Sequence, residues 1–240
     1  MSLSASIPAL KSKARKLRRA EQIRLSEALD RIAASEGYST WSLLIAKQGA
    51  PQGQDLLARL DAGDLVLIAA RPRQGKTLCA LQLLVSALRR QQQGWFFSLE
   101  NDDPHIDALL ESLGEPRSSV GGALSFEHSD SLDARHIVDR VRRDAGAPGV
   151  VVVDYLQLLD QRRSSPPLQE QVSALGDLAR QTGHVVVVLS QIRSAFDESP
   201  EPLPSIDDVR LLDTLDFRLF DKFVFLHEGR LRLHRSLMKR

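Results

Sequence analysis

The sequence predicts an α/β fold, with a mainly parallel central sheet flanked by helices and a small helical domain at the N-terminus. Short runs of valine, leucine and isoleucine recur along the chain, and stretches rich in leucine and alanine separate them. Strands that alternate with helices pair in parallel through helical crossovers. Apolar runs without polar alternation are typical of strands buried on both faces. Residues 1–50 instead show helical spacing of their apolar positions.

The small helical domain is predicted over residues 1–50, where nine Lys and Arg stand against four Asp and Glu. Lys11–Arg19 indicates a basic helix, and a second helix follows in which Leu and Ile recur at helical spacing. Ser39 or Thr40 is expected to cap a third helix. Residues 49–54 contain Gly and Pro and are predicted to be a linker. The expected core of this domain consists of Leu29, Ile32, Tyr38 and Trp41.

Residues 51–240 are predicted to form the α/β domain. Glu228 and Gly229 are expected to turn its last strand into a hairpin with Arg230–His234. Trp95 is expected to pack within the sheet. The other strands are apolar runs of buried-strand length, predicted at Asp64–Ala70, Gly94–Leu99, Gly149–Val153, Val185–Leu189 and Lys222–Leu226.

Helices are predicted between these strands from leucine spacing and from end signals. Asp103, followed by Pro104 in the first turn, indicates the start of one helix, and Gly114 indicates its end. Gly183 is expected to stop another helix. The remaining helices are predicted at Lys76–Arg89, Ser131–Arg143 and Leu168–Gln181.

Composition excludes several classes of protein. The 240 residues carry a net charge of +1, with 42% hydrophobic and 26% charged residues, which argues against extensive disorder and against a globally basic chain. The single cysteine, Cys79, excludes an internal disulfide and favours a reducing compartment. No apolar run approaches the ~20 residues that span a bilayer, and the six histidines show no metal-ligand spacing. We therefore predict a cytoplasmic protein without a membrane segment.

The most specific local motif lies between the first strand of the sheet and the following helix. Residues 70–77 match the phosphate-loop pattern G-x-x-x-x-G-K-S/T, with alanine at the first position. Gly75 allows close approach of the backbone, Lys76 brings charge to the β- and γ-phosphates, and Thr77 offers a hydroxyl to Mg²⁺. A chance Gly-Lys-Thr at a helix start is the alternative. The candidate nucleotide-binding residues are Ala70, Arg71, Pro72, Arg73, Gln74, Gly75, Lys76, Thr77 and Cys79.

Three of these candidates have a second interpretation. Arg71 and Arg73 lie close to the expected phosphates, but solvated loop arginines are commoner than arginines that contact a nucleotide. Cys79 lies near a helix N-terminus, where the pKa of a thiol can be lowered. A small core residue is the other interpretation of Cys79, and the favoured one.

Polar side chains follow three of the predicted strands. Asp154 ends a run of valines, as in the Walker B arrangement, and is expected to hold Mg²⁺ through water. Glu100 is a candidate for the group that activates water, and an exposed Glu in an acidic turn is the equally rated alternative. Both carboxylates project into one crevice if their strands are neighbours. Gln191 ends another strand, where an amide can hydrogen-bond a γ-phosphate.

Together these segments resemble the ATPase domain of the replicative DnaB-type helicase family, which has a RecA-like fold. The similarity covers roughly residues 55–227, and it is fainter over 207–225. The similar stretches, in the order that the family shows, are Gly63–Thr77, Phe96–Glu100, Asp154–Leu158 and Leu189–Gln191.

The resemblance implies a role for each candidate residue. Lys76 and Thr77 would bind phosphate and Mg²⁺, and Asp154 would be the Walker B acid. Glu100 would be the catalytic base, and Gln191 would sense the γ-phosphate. The resemblance further implies ATP and Mg²⁺ as cofactors, ATP hydrolysis, a homo-oligomeric ring such as a hexamer, and translocation on single-stranded DNA.

The chain also departs from the family pattern. Residues 1–50 are too short to hold both the family's N-terminal helical domain and its linker helix. The segment Arg193–Pro204, where the family carries a DNA-facing loop, is acidic. Arg230, Arg232 and Arg235 are candidates for an arginine finger between subunits, with a chance basic tail as the alternative.

Two basic clusters are candidate DNA contacts. Either would neutralise phosphates without regard to base sequence, although a solvated surface is the plainer interpretation. The first cluster consists of Lys11, Lys13, Arg15, Lys16, Arg18 and Arg19, and the second of Arg230, Arg232, Arg235, Lys239 and Arg240.

Two functions from different classes fit these observations. The first is a Mg²⁺-dependent ATPase that acts as a DNA helicase or translocase. The alternative is an ATP-binding accessory protein that clamps or loads a replication or recombination partner through residues 1–50 without unwinding DNA. A small-molecule kinase with a phosphate loop is a third interpretation, and the strings Asp154–Gln157 and Ser98–Glu100 argue against it.

Overall fold

The computed structural model describes residues 3–48, 56–98, 103–129, 132–144, 146–154, 156, 159, 166–210 and 215–236. Of residues 46–48, 103 and 105 it describes the backbone. These residues contain a sheet of seven strands, numbered in chain order. The strands are β1 Leu65–Ala70, β2 Gly94–Ser98, β3 Leu124–His128, β4 Val150–Asp154, β5 Val185–Gln191, β6 Lys222–His227 and β7 Arg230–Arg235.

The strand order across the sheet is β3-β2-β4-β5-β1-β6-β7. Every neighbouring pair from β3 to β6 is parallel, and β7 pairs with β6 in the antiparallel sense. The predicted mainly parallel sheet is therefore confirmed, as is the hairpin at its end. Because β1, β4 and β5 run in the same direction, the residues that follow them meet at one edge of the sheet.

Helices cover both faces of the sheet. Alternate residues of β1 point to opposite faces, so that Val66 and Ile68 pack with α4 and α5, whereas Leu65 and Leu67 pack with α7 and α8. Burial on both faces explains why these strands are continuous apolar runs. The helices are α1 Ile7–Glu21, α2 Leu25–Ser35, α3 Trp41–Gln48, α4 Lys76–Arg89, α5 Asp103–Ser112, α6 Arg117–Val120, α7 Ala134–Arg143 and α8 Leu168–Thr182.

The N-terminal helices α1, α2 and α3 share a small apolar core. Trp41 is 1% exposed and fills the centre of this core, as predicted. Thr40 accepts a hydrogen bond from the backbone nitrogen of Leu43 at 3.2 Å, so it is Thr40 that caps α3. Leu43, on the same helix, belongs instead to the core between the sheet and α4. The N-terminal helices therefore pack directly against the α/β part of the chain.

Strand β3 was not predicted from the sequence. Leu124–His128 alternates apolar and polar residues and is half-buried, because it lies at the edge of the sheet and pairs with β2 alone. The predicted start of the α7 helix at Ser131 lies outside the described residues, and α7 begins at Ala134 with Asp133 as its cap. The predicted linker 49–54 also lies outside them. No described helix is long and apolar enough to cross a membrane.

His184 lies at the beginning of β5 and is 5% exposed. Its Nδ1 accepts a hydrogen bond from the backbone nitrogen of Gly149 at 2.8 Å, and its ring contacts the Trp95 ring edge-on with centroids 5.0 Å apart. Burial lowers the pKa of His184 below its usual 6.5. Protonation would also remove the acceptor that Gly149 uses.

We predict that this buried histidine makes stability depend on pH. The unfolded chain binds the proton more tightly, so the contribution of His184 is complete above about pH 6.5 and is lost as pH falls through its lowered folded pKa. His184→Asn, whose amide oxygen can replace the acceptor, should flatten the fall of the melting temperature between neutral and mildly acidic pH. His128→Asn, at an exposed site, is the control. An unchanged profile in His184→Asn would contradict the assignment.

Candidate nucleotide-binding site

The candidate site lies at the edge of the sheet where β1, β4 and β5 end. Ala70, the last residue of β1, pairs with Gln191, the last residue of β5. Asp154 is the last residue of β4, which is the other neighbour of β5. The phosphate-loop motif follows β1 directly and leads into α4. The topology thus brings the loop, Asp154 and Gln191 to one edge, as the sequence predicted.

The phosphate loop turns through two residues with left-handed backbone conformation. Gly75 has a φ of 79°, which glycine adopts without a steric penalty, and it immediately precedes α4. Arg73 has a φ of 64°, a conformation that is uncommon for residues with a side chain. The first turn of α4 closes with a hydrogen bond from Cys79 nitrogen to Gly75 oxygen at 2.8 Å. The loop is therefore a sharp connection from a buried strand into a helix.

Asp154 joins the two reactive side chains of the loop. Its Oδ1 accepts a hydrogen bond from Lys76 Nζ at 3.2 Å, and its Oδ2 accepts one from Thr77 Oγ1 at 3.0 Å. The side chain of Asp154 is 1% exposed and that of Lys76 is 10% exposed. A buried carboxylate is costly unless charges and donors compensate it. Carboxylate and hydroxyl oxygens are also ligands that Mg²⁺ prefers, so the donor set of Thr77 and Asp154 fits that ion.

A cavity of about 510 Å³ opens over the loop. Its volume lies within the roughly 300–1,000 Å³ of small-molecule sites. Gln191 reaches this cavity from the end of β5. Of the residues predicted to bind nucleotide, those that line it are Arg71, Pro72, Arg73, Gly75, Lys76 and Thr77.

The remaining loop candidates do not line this cavity. Ala70 is fully buried in the core. Gln74 is 7% exposed, and its Oε1 accepts a hydrogen bond from the backbone nitrogen of Glu228 at 2.7 Å. Cys79 lies in the core between the sheet and α4, where burial raises the pKa of its thiol to about 12. The thiol is therefore neutral at physiological pH, in agreement with the favoured interpretation of Cys79 as a core residue.

Both loop arginines contact protein groups. Arg71 pairs with Asp197 at 3.0 Å and donates to the backbone oxygen of Ile192 at 2.9 Å. Arg73 donates to the backbone oxygen of Ser26 at 3.0 Å and pairs with Asp30 at 2.7 Å. The acidic segment after β5 thus contacts one side of the loop, and helix α2 contacts the other.

Some predicted site residues lie outside the described part of the chain. Glu100 is one of them, as are Tyr155, Gln157 and Leu158 of the Walker B stretch. The strand before Glu100 is described, and β2 pairs with β4 so that Ser98 lies opposite Asp154. The two strands are thus neighbours, which is the condition stated above for Glu100 and Asp154 to share a crevice.

The structure also places residues in the cavity wall that the sequence did not indicate. Asp30, Thr40 and Ser42 line it from α2 and the beginning of α3, and Leu78 and Leu109 line it from α4 and α5. Thr40 was noted solely as a possible helix cap. No local motif identifies these residues, because their proximity to the loop depends on how the N-terminal helices pack.

The candidate DNA-binding residues lie on two separate elements. Most of the basic residues of α1 are exposed, but Lys11 is half-buried and pairs with Glu228 at 3.4 Å. Arg230, Arg232 and Arg235 are exposed on β7. Lys239 and Arg240 lie outside the described residues.

The fold and the loop together define the class of protein. The chain superposes on a solved helicase-type ATPase domain with a TM-score of 0.57 and 21% identity, covering 73% of this chain and 75% of that one. It superposes equally well, at 21% identity, on a structure of a DnaB-like replicative helicase studied for its interactions with primase, covering 90% of this chain and 64% of that one. The predicted RecA-like fold is confirmed.

Sequence comparisons point to the particular family. Residues 119–217, which include Asp154 and Gln191, match the model of the DnaB-like helicase C terminal domain. The replicative DNA helicase DnaB of Leifsonia xyli is 26% identical over 230 residues, which covers 83% of this chain and 50% of that protein. DnaB of Geobacillus stearothermophilus is 27% identical over 198 residues, covering 68% and 43%. The predicted resemblance to the DnaB-type helicase family is confirmed, and this chain spans half the length of these relatives or less.

Proposed function

We propose that this protein is a Mg²⁺-dependent ATPase that acts on DNA as a helicase or translocase, coupling hydrolysis to movement on single-stranded DNA. The observation that carries the proposal is the convergence of Lys76, Thr77, Asp154 and Gln191 at one edge of a RecA-like sheet. Similarity to replicative DNA helicases supports the class of activity.

Each residue is assigned a role by its chemistry. Lys76 binds the β- and γ-phosphates as a point charge, while Thr77 and Asp154 supply the oxygen ligands for Mg²⁺. That ion, when bound, neutralises charge on the phosphates during transfer. Gln191 lines the cavity and is placed to hydrogen-bond the γ-phosphate. Because Lys76 pairs with Asp154 in this structure, its ammonium group must exchange part of that contact for phosphate oxygens.

Glu100 is proposed as the base that accepts a proton from the attacking water. Support comes from the strand that precedes it, since β2 pairs with β4 and directs its carboxyl end to the same edge as Asp154. A positioned carboxylate that deprotonates water contributes roughly 10²–10⁴ in rate.

Assembly and partners belong to the same proposal. We propose that residues 51–240 form the ATPase domain and residues 1–50 a separate helical module that contacts a replication partner. Arg230, Arg232 or Arg235 is proposed as an arginine finger in a homo-oligomer, since all three are exposed on β7. The basic residues of α1 and β7 are proposed to contact the phosphates of single-stranded DNA.

A second candidate is an ATP-binding clamp that does not unwind DNA. The observation that favours it is the acidic segment after β5, where the family carries a DNA-facing loop. Asp197 from this segment pairs with Arg71 of the phosphate loop, and Glu198 and Glu201 are exposed. Such a segment repels a phosphate backbone and contacts the protein's own nucleotide site.

Lys76→Ala should weaken MgATP binding about 10- to 100-fold, because a hydrogen bond to a charged group contributes about 1.5–3 kcal/mol. Calorimetric titration with MgATP measures the effect. Lys13→Ala, at an exposed position on α1, is the matched control and should bind as the wild type does. Equal affinities for wild type and Lys76→Ala would remove the phosphate loop from the proposal.

Glu100→Gln should keep ATP binding and reduce hydrolysis by roughly 10²–10⁴-fold, because the amide cannot accept the proton of water. Phosphate release under multiple turnover, with binding measured separately, tests this expectation. Glu111→Gln, at an exposed position on α5, controls for loss of a carboxylate. Unaltered turnover in Glu100→Gln would place the base elsewhere.

Strand displacement distinguishes the motor from the clamp. The motor should unwind a forked duplex with ATP, and its mass should rise to that of an oligomer when ATP and single-stranded DNA are present. Displacement should disappear in Lys76→Ala. A protein that hydrolyses ATP yet stays monomeric and displaces no strand would exclude the motor and leave the clamp.

A further inference from the structure

The N-terminal helices form one wall of the cavity over the phosphate loop. Asp30, near the middle of α2, lines this cavity together with Thr40 and Ser42 at the beginning of α3. Lys76, Thr77 and Gln191 line it from the α/β part of the chain. A ligand that fills the cavity therefore touches both parts of the protein.

Asp30 fixes this wall to the loop. Its Oδ1 accepts a hydrogen bond from the backbone nitrogen of Trp41 at 2.9 Å, at the start of α3. Its Oδ2 accepts one from Arg73 at 2.7 Å, and Arg73 also donates to Ser26 oxygen at 3.0 Å. One carboxylate thus joins α2, α3 and the loop. Its charge is compensated by Arg73, so the wall does not present a free anion to phosphates.

Helix α3 also packs against the beginning of α4. Leu43 is 8% exposed and shares a core with Leu78 and Cys79. Ile45 is 1% exposed and lines a cleft of about 10 Å³ beside Gly75 and Cys79. That cleft has no room for a nucleoside. The space beside the loop in which a nucleoside fits is the cavity of about 510 Å³ that α3 borders.

We propose that Thr40 and Ser42 bind the nucleoside part of the nucleotide, so that the N-terminal helices complete the nucleotide site of their own chain. This inference rests on the proposed ATPase function. Lys76 and the loop backbone provide the cationic and N–H donors that phosphates require. The hydroxyls of Thr40 and Ser42 are neutral, and each can donate to or accept from ribose hydroxyls and base edges. Pro72 and Leu109 add apolar surface.

The test compares MgATP with inorganic tripolyphosphate, which has phosphates but no nucleoside. Ser42→Ala should weaken MgATP binding about two- to tenfold, the range for one lost hydrogen bond, and should leave tripolyphosphate binding unchanged. Ser42→Thr keeps a hydroxyl and should bind MgATP within about twofold of the wild type. Ser39→Ala removes an exposed hydroxyl that does not line the cavity and is the matched control.

The outcomes separate this inference from the proposed function. If the wild type binds MgATP and Lys76→Ala loses affinity while Ser42→Ala does not, the inference is overturned and the ATPase proposal stands. Equal losses of MgATP and tripolyphosphate affinity in Ser42→Ala also overturn it, because the wall would then act through the shape of the loop. If the wild type binds no nucleotide, both proposals fail.

Discussion

The buried carboxylate of Asp154 is the constraint around which the candidate site is organised. It is 1% exposed on its side chain, and it accepts hydrogen bonds from Lys76 at 3.2 Å and Thr77 at 3.0 Å. A charge at this depth is tolerated because a cation and a hydroxyl compensate it. The contact joins the end of β4 to the beginning of α4, so it ties the position of the loop to the register of the sheet.

The rest of the loop is held by contacts from elements distant in sequence. Arg71 contacts the segment after β5 through Asp197, whereas Arg73 contacts α2 through Asp30. Gln74 accepts a hydrogen bond from the turn between β6 and β7 at 2.7 Å. Because three different elements hold successive parts of the loop, a nucleotide that alters the loop alters their contacts as well. Coupling between nucleotide binding and the N-terminal helices follows from this arrangement.

Strand and helix positions followed from the sequence wherever a strand is buried on both faces. Val150–Asp154 and Val185–Gln191 are continuous apolar runs, and α4 spans the predicted Lys76–Arg89. Strand β3 escaped prediction because an edge strand is half-buried and its residues alternate. The order of the strands was also beyond the sequence, since no local signal states which apolar run lies beside which. The neighbourhood of β2 and β4, on which the role of Glu100 depends, was accordingly a condition.

The sequence by itself determined the phosphate loop, the acid that ends β4 and the glutamine that ends β5, because strand ends, glycine and charged residues leave local patterns. Tertiary structure alone decided that Gln74 and Cys79 turn away from the cavity while Asp30, Thr40 and Ser42 border it. Which side of a residue meets a cavity depends on packing between segments far apart in the chain. Periodicity within one segment carries no information about that packing.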